Sequence, residues 1–373
     1  MRNRGRFFIG LALVLVVLVV AGYLIVRQTT ARPQVTVSCV GGSEKSQFMA
    51  DPEVVRLLKE KHGLTVQWQA MGSYDQVLVE TEQIRSRGWN CLWPSSASAQ
   101  QVFEAKHAGQ FPAYRAETVL QSPEVIYAGP NGTDALLRAG LVEQRDGAYY
   151  VVNMHGLLIE HTLAGKTWQD LQTQNLRGPI NISSTDPAKS NSGFTLAQLE
   201  LSTIATDGTR PPTITEARAA LPQLRQLYDA QGLQAATSDN GFRQWLTQGG
   251  EYAAPLYAGY ESQIIQEINT GPNAAGVLQE VRVLYPDPTM YSDHPLLALD
   301  ADAAKLIEAL KDPELQTLAW KKYGFRSATN AALNNTADFP DLPLAPRVRT
   351  IPAPNAEVTL ALLGCLQDRT QCG

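Results

Sequence analysis

At 373 residues with 44% hydrophobic content, the chain is long enough for two ordinary domains and too long for one small core. Its formal charge is −5, and no lysine- or arginine-rich run occurs beyond the first six residues. The electrostatic footprint that a nucleic-acid backbone demands is therefore missing, and nucleic acid is excluded as a partner.

Residues 7–26, FFIGLALVLVVLVVAGYLIV, form an apolar run of the length a helix needs to cross roughly 30 Å of hydrocarbon. Arg2, Arg4 and Arg6 precede it, which puts the N-terminus in the cytoplasm and the bulk of the chain outside the cell membrane. A cleaved signal peptide is the alternative. Its core is usually shorter, about 7–15 residues, and RQTTARPQ offers no small-residue cleavage site, so the sequence favours an uncleaved single-pass anchor. Cys39, in VTVSCVGG, lacks the surroundings of a lipidation site.

Short apolar runs then alternate with helical patterns, the signature of an α/β fold with largely parallel strands. Residues 35–40 predict a strand, GGSEKSQFM a loop, and Asp51-Pro52-Glu53 a helix start with a capping carboxylate and proline in the first turn. Val54, Val55, Leu57 and Leu58 are expected to face inward, and Gly63 to close the helix. Strands over 64–69 and 89–93 and helices over 74–87 and 98–107 complete a βαβαβα unit. Further strands are expected at 125–128, 179–183, 255–258, 281–285 and 296–299. Helical pieces fall at 133–138, 154–163, 168–171, 216–230, 241–247, 262–268, 303–310 and 314–322, with Pro222 kinking one of them and Asp300 and Asp312 as caps. The stretch 327–354 reads as loop and 356–366 as a last helix.

In open α/β sheets, ligands collect beyond the carboxyl ends of strands, and four such loops carry polar clusters: GGSEKS, PSSAS, STDPAKSNSG and GYES. The third opens a helix whose N-cap is Ser190, Asn191 or Ser192. Its free N–H groups, the helix dipole, the hydroxyls and Lys189 suit an anionic or strongly polar ligand. Each loop alone also fits ordinary turn chemistry. These are hydrogen-bonding residues, not a reactive centre. Ser238-Asp239-Asn240 matches one element of penicillin-recognising enzymes, but neither S-x-x-K nor K-T-G accompanies it. His155 and His161 are too far apart to share a metal on one helix face, and no cofactor or metal site is expected. Cys365 and Cys372 bracket a short loop and Cys39 and Cys91 fall on neighbouring strands, so either pair can form a disulfide in an oxidising compartment.

The runs GSEKSQFMADPEVVRLL, CLWPSS, STDPAKSNSG, YESQ, YPDPTMYSDHPLLALD and GFR, in that order, resemble bacterial extracellular solute-binding proteins of the type 2 periplasmic-binding-protein-like group that includes the molybdate and sulfate binders. The likeness spans residues 35–326. It implies an α/β fold of two lobes: lobe I from 35–124 and 285–345, lobe II from 125–284, preceded by the cytoplasmic stub, anchor and spacer (1–34) and followed by an extension (346–373). It implies capture of a small polar solute or oxyanion in the interlobe cleft by hinge closure, delivery to an ABC-type permease, and no catalysis. A membrane-held sensor or adaptor and a transferase on the same fold are the alternatives. Ligand contacts would come from Ser43, Lys45, Ser46, Ser95 and Ser96 of lobe I and Ser190, Asn191, Ser192, Tyr260 and Glu261 of lobe II. Lys189 would add charge, and Glu261 would alternatively be a buried partner of a lysine. Tyr291, Asp293 and His294 would fall at the second crossover.

Overall fold

The computed structural model describes residues 34–232 and 234–373, so the anchor expected over 7–26 lies outside the described residues. Among the described residues, no helix is long and apolar enough to cross a membrane.

The strands, in chain order, are β1 (Val35–Gly41), β2 (Leu64–Ala70), β3 (Cys91–Trp93), β4 (Arg115–Ala128), β5 (Val142–Arg145) and β6 (Tyr149–Asn153). They are followed by β7 (Leu256–Tyr260), β8 (Arg282–Asp287), β9 (Tyr291–Ala298) and β10 (Arg326–Ser327). The main path runs β2-β1-β3-β9-β4-β8-β6-β5, with β7 and β10 also pairing to β4. β1 is parallel to both β2 and β3, as the βαβ reading predicts, and its register sets Cys39 opposite Cys91, where the two form a disulfide with a Cα–Cα distance of 4.4 Å. β6 is also parallel to β8, but the other six pairings among the described residues are antiparallel, which corrects the largely parallel strands expected.

β4 organises the rest. Its residues 115–123 pair antiparallel with β9, while residues 124–128 lie between β7 and β8. Pro123, which has no ladder N–H to offer, falls where the strand passes from one set of partners to the other. The sequence marks only the last four residues of this 14-residue strand, because RAETVLQS is too polar for a buried run and Ser122-Pro123 reads as a break. The hairpin of β5 and β6, most of it exposed, was likewise not foreseen. Conversely, residues 179–183 form no strand and make only isolated bridges, Thr167 with Pro179 and Ser183 with Tyr257.

Helix Pro52–His62 starts and stops as its residues dictate: the Asp51 carboxylate accepts from the Glu53 and Val54 N–H groups at 2.7 and 3.4 Å, and Gly63 takes φ 70°. Val54, Leu57 and Leu58 are buried, but Val55, off that stripe, is 48% exposed, which corrects the inward face expected for it. The single helix expected over 74–87 is two, Ser73–Val77 and Thr81–Ser86, broken where the β-branched Val77, Val79 and Thr81 follow one another at alternate positions. Asp300 and Asp312 cap their helices, accepting from Ala303 N at 2.8 Å and Glu314 N at 2.9 Å. Helix Ile214–Ala230 contains Pro222 and is continuous through it. A further helix, Ala274–Glu280, was not foreseen.

Four apolar clusters hold these elements. One lies under β1, β3 and β9 and contains Phe48, Leu57, Leu306 and Phe325. Two lie on either side of β7 and β8. The fourth joins both halves: Leu92 and Phe103 from the first, Phe194 and Leu221 from the second, and Leu362 and Leu366 from the C-terminal helix Ala356–Gln367. That helix is tied to the chain end by the second disulfide, Cys365–Cys372.

Candidate functional site

The loops that follow β1, β2 and β3 open on one side of the sheet and meet two helix starts from the other half of the chain. Gly42, Ser43, Glu44, Ala70 to Ser73 and Ser95 face Lys189, Ser190, Asn191 and the segment Ala236 to Ser238 across a cavity of about 90 Å³. Asn191 is the first residue of the helix Asn191–Thr206, and Ser238 the first of Ser238–Thr247. Their first-turn N–H groups have no intrahelical acceptors, so both helices bring partial positive charge to the same wall.

Hydroxyls knit that wall together. Ser192 Oγ lies 2.7 Å from Thr185 Oγ1 and 2.9 Å from Ser238 Oγ, Ser190 Oγ lies 3.0 Å from Ser238 Oγ, and Thr185 Oγ1 accepts from Gly193 N at 2.9 Å. Asn191 spans the two halves: its Nδ2 donates to the Ser95 carbonyl at 2.8 Å and to Tyr260 Oη at 3.0 Å. Tyr260 is wholly buried at the end of β7 and so positions Asn191 from behind. Two further contacts cross near the cavity, Gln198 Nε2 donating to Ser98 Oγ at 3.0 Å and the Tyr74 and Phe194 rings at 4.3 Å.

On the facing wall, Lys45 is 0% exposed and does not reach the cavity. Its Nζ donates to Glu44 Oε1 at 2.5 Å, to Ser95 Oγ at 2.8 Å and to His294 Nδ1 at 3.1 Å. An ammonium can only donate, so His294 Nδ1 is the accepting nitrogen and the ring proton sits on Nε2. Burial pulls the His294 pKa well down and the neighbouring Lys45 charge adds to this, so the ring is neutral. Burial alone pushes the Glu44 carboxyl up, but the charge of Lys45 and the bonds from Lys45 and Ser95 more than reverse it, to about 2. Lys45 moves down because burial outweighs the help from Glu44. Glu44 is thus a fixed carboxylate at the cavity wall, held by a lysine that solvent does not touch.

Of the ten expected contacts, Ser43, Ser95, Ser190 and Asn191 line the cavity, and Lys45, Ser46, Ser96, Ser192, Tyr260 and Glu261 do not. Ser46 Oγ accepts from Trp68 Nε1 at 3.1 Å, and Ser96 caps the helix Ala97–Lys106 by accepting from Ala99 N. Glu261 is fully buried against Arg326, an arginine and not the lysine considered for it, with Nε to Oε1 and Nη2 to Oε2 both at 2.7 Å. His294 packs behind Lys45, and Tyr291 and Asp293 pair with Pro123 and Gln121 of β4. Ser73 was missed although it follows β2, where the same strand-end rule applies. Ser238 was weighed only as part of an enzyme motif, when its signal was that of a second helix N-terminus.

Glu124 sits at the handover in β4, 0% exposed, with neither carboxyl oxygen partnered among the described residues. Burial raises its pKa well above the usual 4.5. The folded state then retains a proton that the unfolded chain gives up, so stability is fully present below the unfolded pKa and falls as pH rises toward the folded one. Glu124→Gln keeps the shape and removes the titration. It is expected to raise Tm over wild type at about pH 8 and to leave it nearly unchanged at about pH 4; melting curves with the same shift at both pH values would count against this.

The family model for bacterial extracellular solute-binding proteins matches residues 53–347, and the chain belongs to that family. Among solved structures, the sulfate-binding protein from Mycobacterium tuberculosis H37Rv superposes with a TM-score of 0.52 at 14% identity, covering 86% of this chain and 94% of that one. The ferric binding protein from Campylobacter jejuni gives 0.54 at 12% identity, with coverages of 90% and 99%. A periplasmic thiamin binding protein gives 0.59 at 9% identity, with coverages of 91% and 97%. At these identities the likeness speaks for the mixed α/β fold alone. No curated protein matches the sequence.

Proposed function

We propose that this chain captures a small polar or anionic solute in the cavity between its two halves, leaves its bonds intact, and hands it to an ABC-type permease. The halves act as lobes, 35–124 with 285–345 and 125–284, and residues 346–373 are an extension laid over both. The apolar run 7–26 holds the molecule to the cell membrane with its bulk outside. The observation that carries this reading is the meeting of three strand-end loops from one half with two helix N-termini from the other around a small hydroxyl-lined cavity.

Closure is favoured by contacts made only when the halves meet, here Asn191 to Ser95 and Gln198 to Ser98. A second reading has its own support. The apolar cluster shared by both halves and the last helix opposes wide opening, which suits a fixed sensor or adaptor that reports occupancy without releasing solute to a transporter.

A thermal-shift screen of the soluble part against anions, sugars, amines and amino acids finds the solute, since a bound ligand raises Tm with its occupancy. Calorimetric titration of the Ser190→Ala/Ser238→Ala variant then tests the site. Each lost hydroxyl bond is expected to weaken binding by about tenfold. An affinity equal to wild type would place the solute elsewhere.

A further inference from the structure

Glu44 is the one carboxylate among the described residues that line the cavity. Its hydrogen bonds from the protein, from Lys45 Nζ and Ser95 Oγ, all go to Oε1. Oε2 receives none. The carboxylate lies across the bare backbone of Gly42, where a Cβ would stand 2.4 Å from Oε1 and 2.5 Å from Oε2. Glycine at 42 therefore lets the acid lie flat against the wall. Asn191 supplies a second acceptor in the wall of the same cavity: its Oδ1 is buried and has no donor among the described residues. The opposite requirement comes from the two helix starts, which offer N–H donors.

An anion with every oxygen ionised satisfies the donors and fails at Glu44, because it sets a negative oxygen against Oε2 in a site with little water to screen the pair. A simple cation satisfies Glu44 and leaves the helix N-termini without an acceptor. A solute that is an acceptor at one end and a donor at the other meets both. We propose that Glu44 is a specificity-determining residue, and that the cavity takes a small oxyanion that keeps a proton: its O–H donates to Glu44 Oε2 and its ionised oxygens accept from the helix ends at Asn191 and Ser238. This rests on the solute-capture reading above. Lys45 has a positioning role. Buried against Glu44, Ser95 and His294, it keeps the acid charged and aimed without touching the solute.

Inorganic phosphate and sulfate separate the possibilities, because both are tetrahedral oxyanions and phosphate retains a proton at neutral pH while sulfate does not. Titration calorimetry on the wild-type soluble part is expected to show phosphate bound roughly a hundredfold tighter than sulfate, the scale of one hydrogen bond to a charged group gained against one repulsion. Arsenate is expected to follow phosphate and selenate to follow sulfate, a comparison that needs no variant. In Glu44→Gln the amide can donate or accept, and the phosphate preference is expected to shrink to about tenfold or less as sulfate gains. Equal binding of the two anions by wild type, or an unchanged ratio in Glu44→Gln, overturns the role of Glu44. If neither anion binds while another solute binds and is lost in Ser190→Ala/Ser238→Ala, solute capture stands and the proton-bearing oxyanion falls. If no solute binds at all, both fall.

Discussion

Replacing Leu362 by alanine is expected to destabilise the whole soluble part by about 2–5 kcal/mol, the range for emptying a filled apolar site. Leu362 is 0% exposed, on a helix whose neighbours come from both halves of the chain. Asn355 caps its start by accepting from Val358 N at 3.0 Å, and Arg225 of helix Ile214–Ala230 satisfies its end by donating to the Cys365 and Leu366 carbonyls at 2.9 and 3.1 Å. On its other flank the cluster includes Val102 and Phe103, from helix Ala97–Lys106 of the first half. A cavity made here loosens two surfaces at once, so chemical denaturation followed by tryptophan fluorescence and by far-ultraviolet circular dichroism should show one transition, moved to lower denaturant, with both probes coincident. If the helix merely decorates one half, the variant will instead show two transitions, one of them unmoved.

That helix was legible in the sequence as an element but not as a bridge. Residues 356–366 carry an apolar pattern that predicts a helix, yet no periodicity says what the apolar face meets. The same division runs through the molecule. Asp51-Pro52 with Gly63, and Asp312-Pro313 with Gly324, are local chemistry complete within one turn, and both helices start and end where those residues place them. β4 is not local: its polar first half, with Glu117 and Gln121, is a strand because β9 lies alongside it from a point far along the chain.

The candidate site divides in the same way. Ser43, Ser95 and Asn191 were singled out because strand ends and helix starts are visible in sequence and such places collect ligands, and all three line the cavity. Lys45 was expected at the ligand because the resemblance carried it over with the GGSEKS loop, but its fate was decided by Ser95 and His294, 50 and 249 residues away. A charged side chain beside a candidate loop gives no hint of whether it faces solute or core until its distant partners are known.

Glu261 shows the largest consequence of such a pairing. Glu261→Ala is expected to cost about 3–5 kcal/mol, because it strands a buried guanidinium and does not merely delete a contact. Arg326 is 2% exposed and meets Glu261 through two parallel bonds of 2.7 Å, a geometry only arginine provides. Tyr285 Oη donates to the same Oε2 at 2.5 Å, and Arg326 Nη2 donates to the Ala345 carbonyl at 2.6 Å. Burial alone lowers the Arg326 pKa and the Glu261 charge more than restores it; with its partner gone the guanidinium still holds its proton, because arginine is too basic to be deprotonated in a protein. Arg326 lies in β10 beside the first part of β4, whereas Glu261 begins a helix that follows β7 beside the second part, so the pair ties together the elements that flank the two parts of that strand. The double variant Glu261→Leu/Arg326→Met removes both charges and is expected to be more stable than Glu261→Ala, since well-packed apolar side chains often replace a buried ion pair without loss. Urea unfolding of the wild type, Glu261→Leu, Arg326→Met and the double variant gives the coupling directly. Additive losses would mean that the two charges are solvated independently and that the elements flanking the two parts of β4 are held together elsewhere.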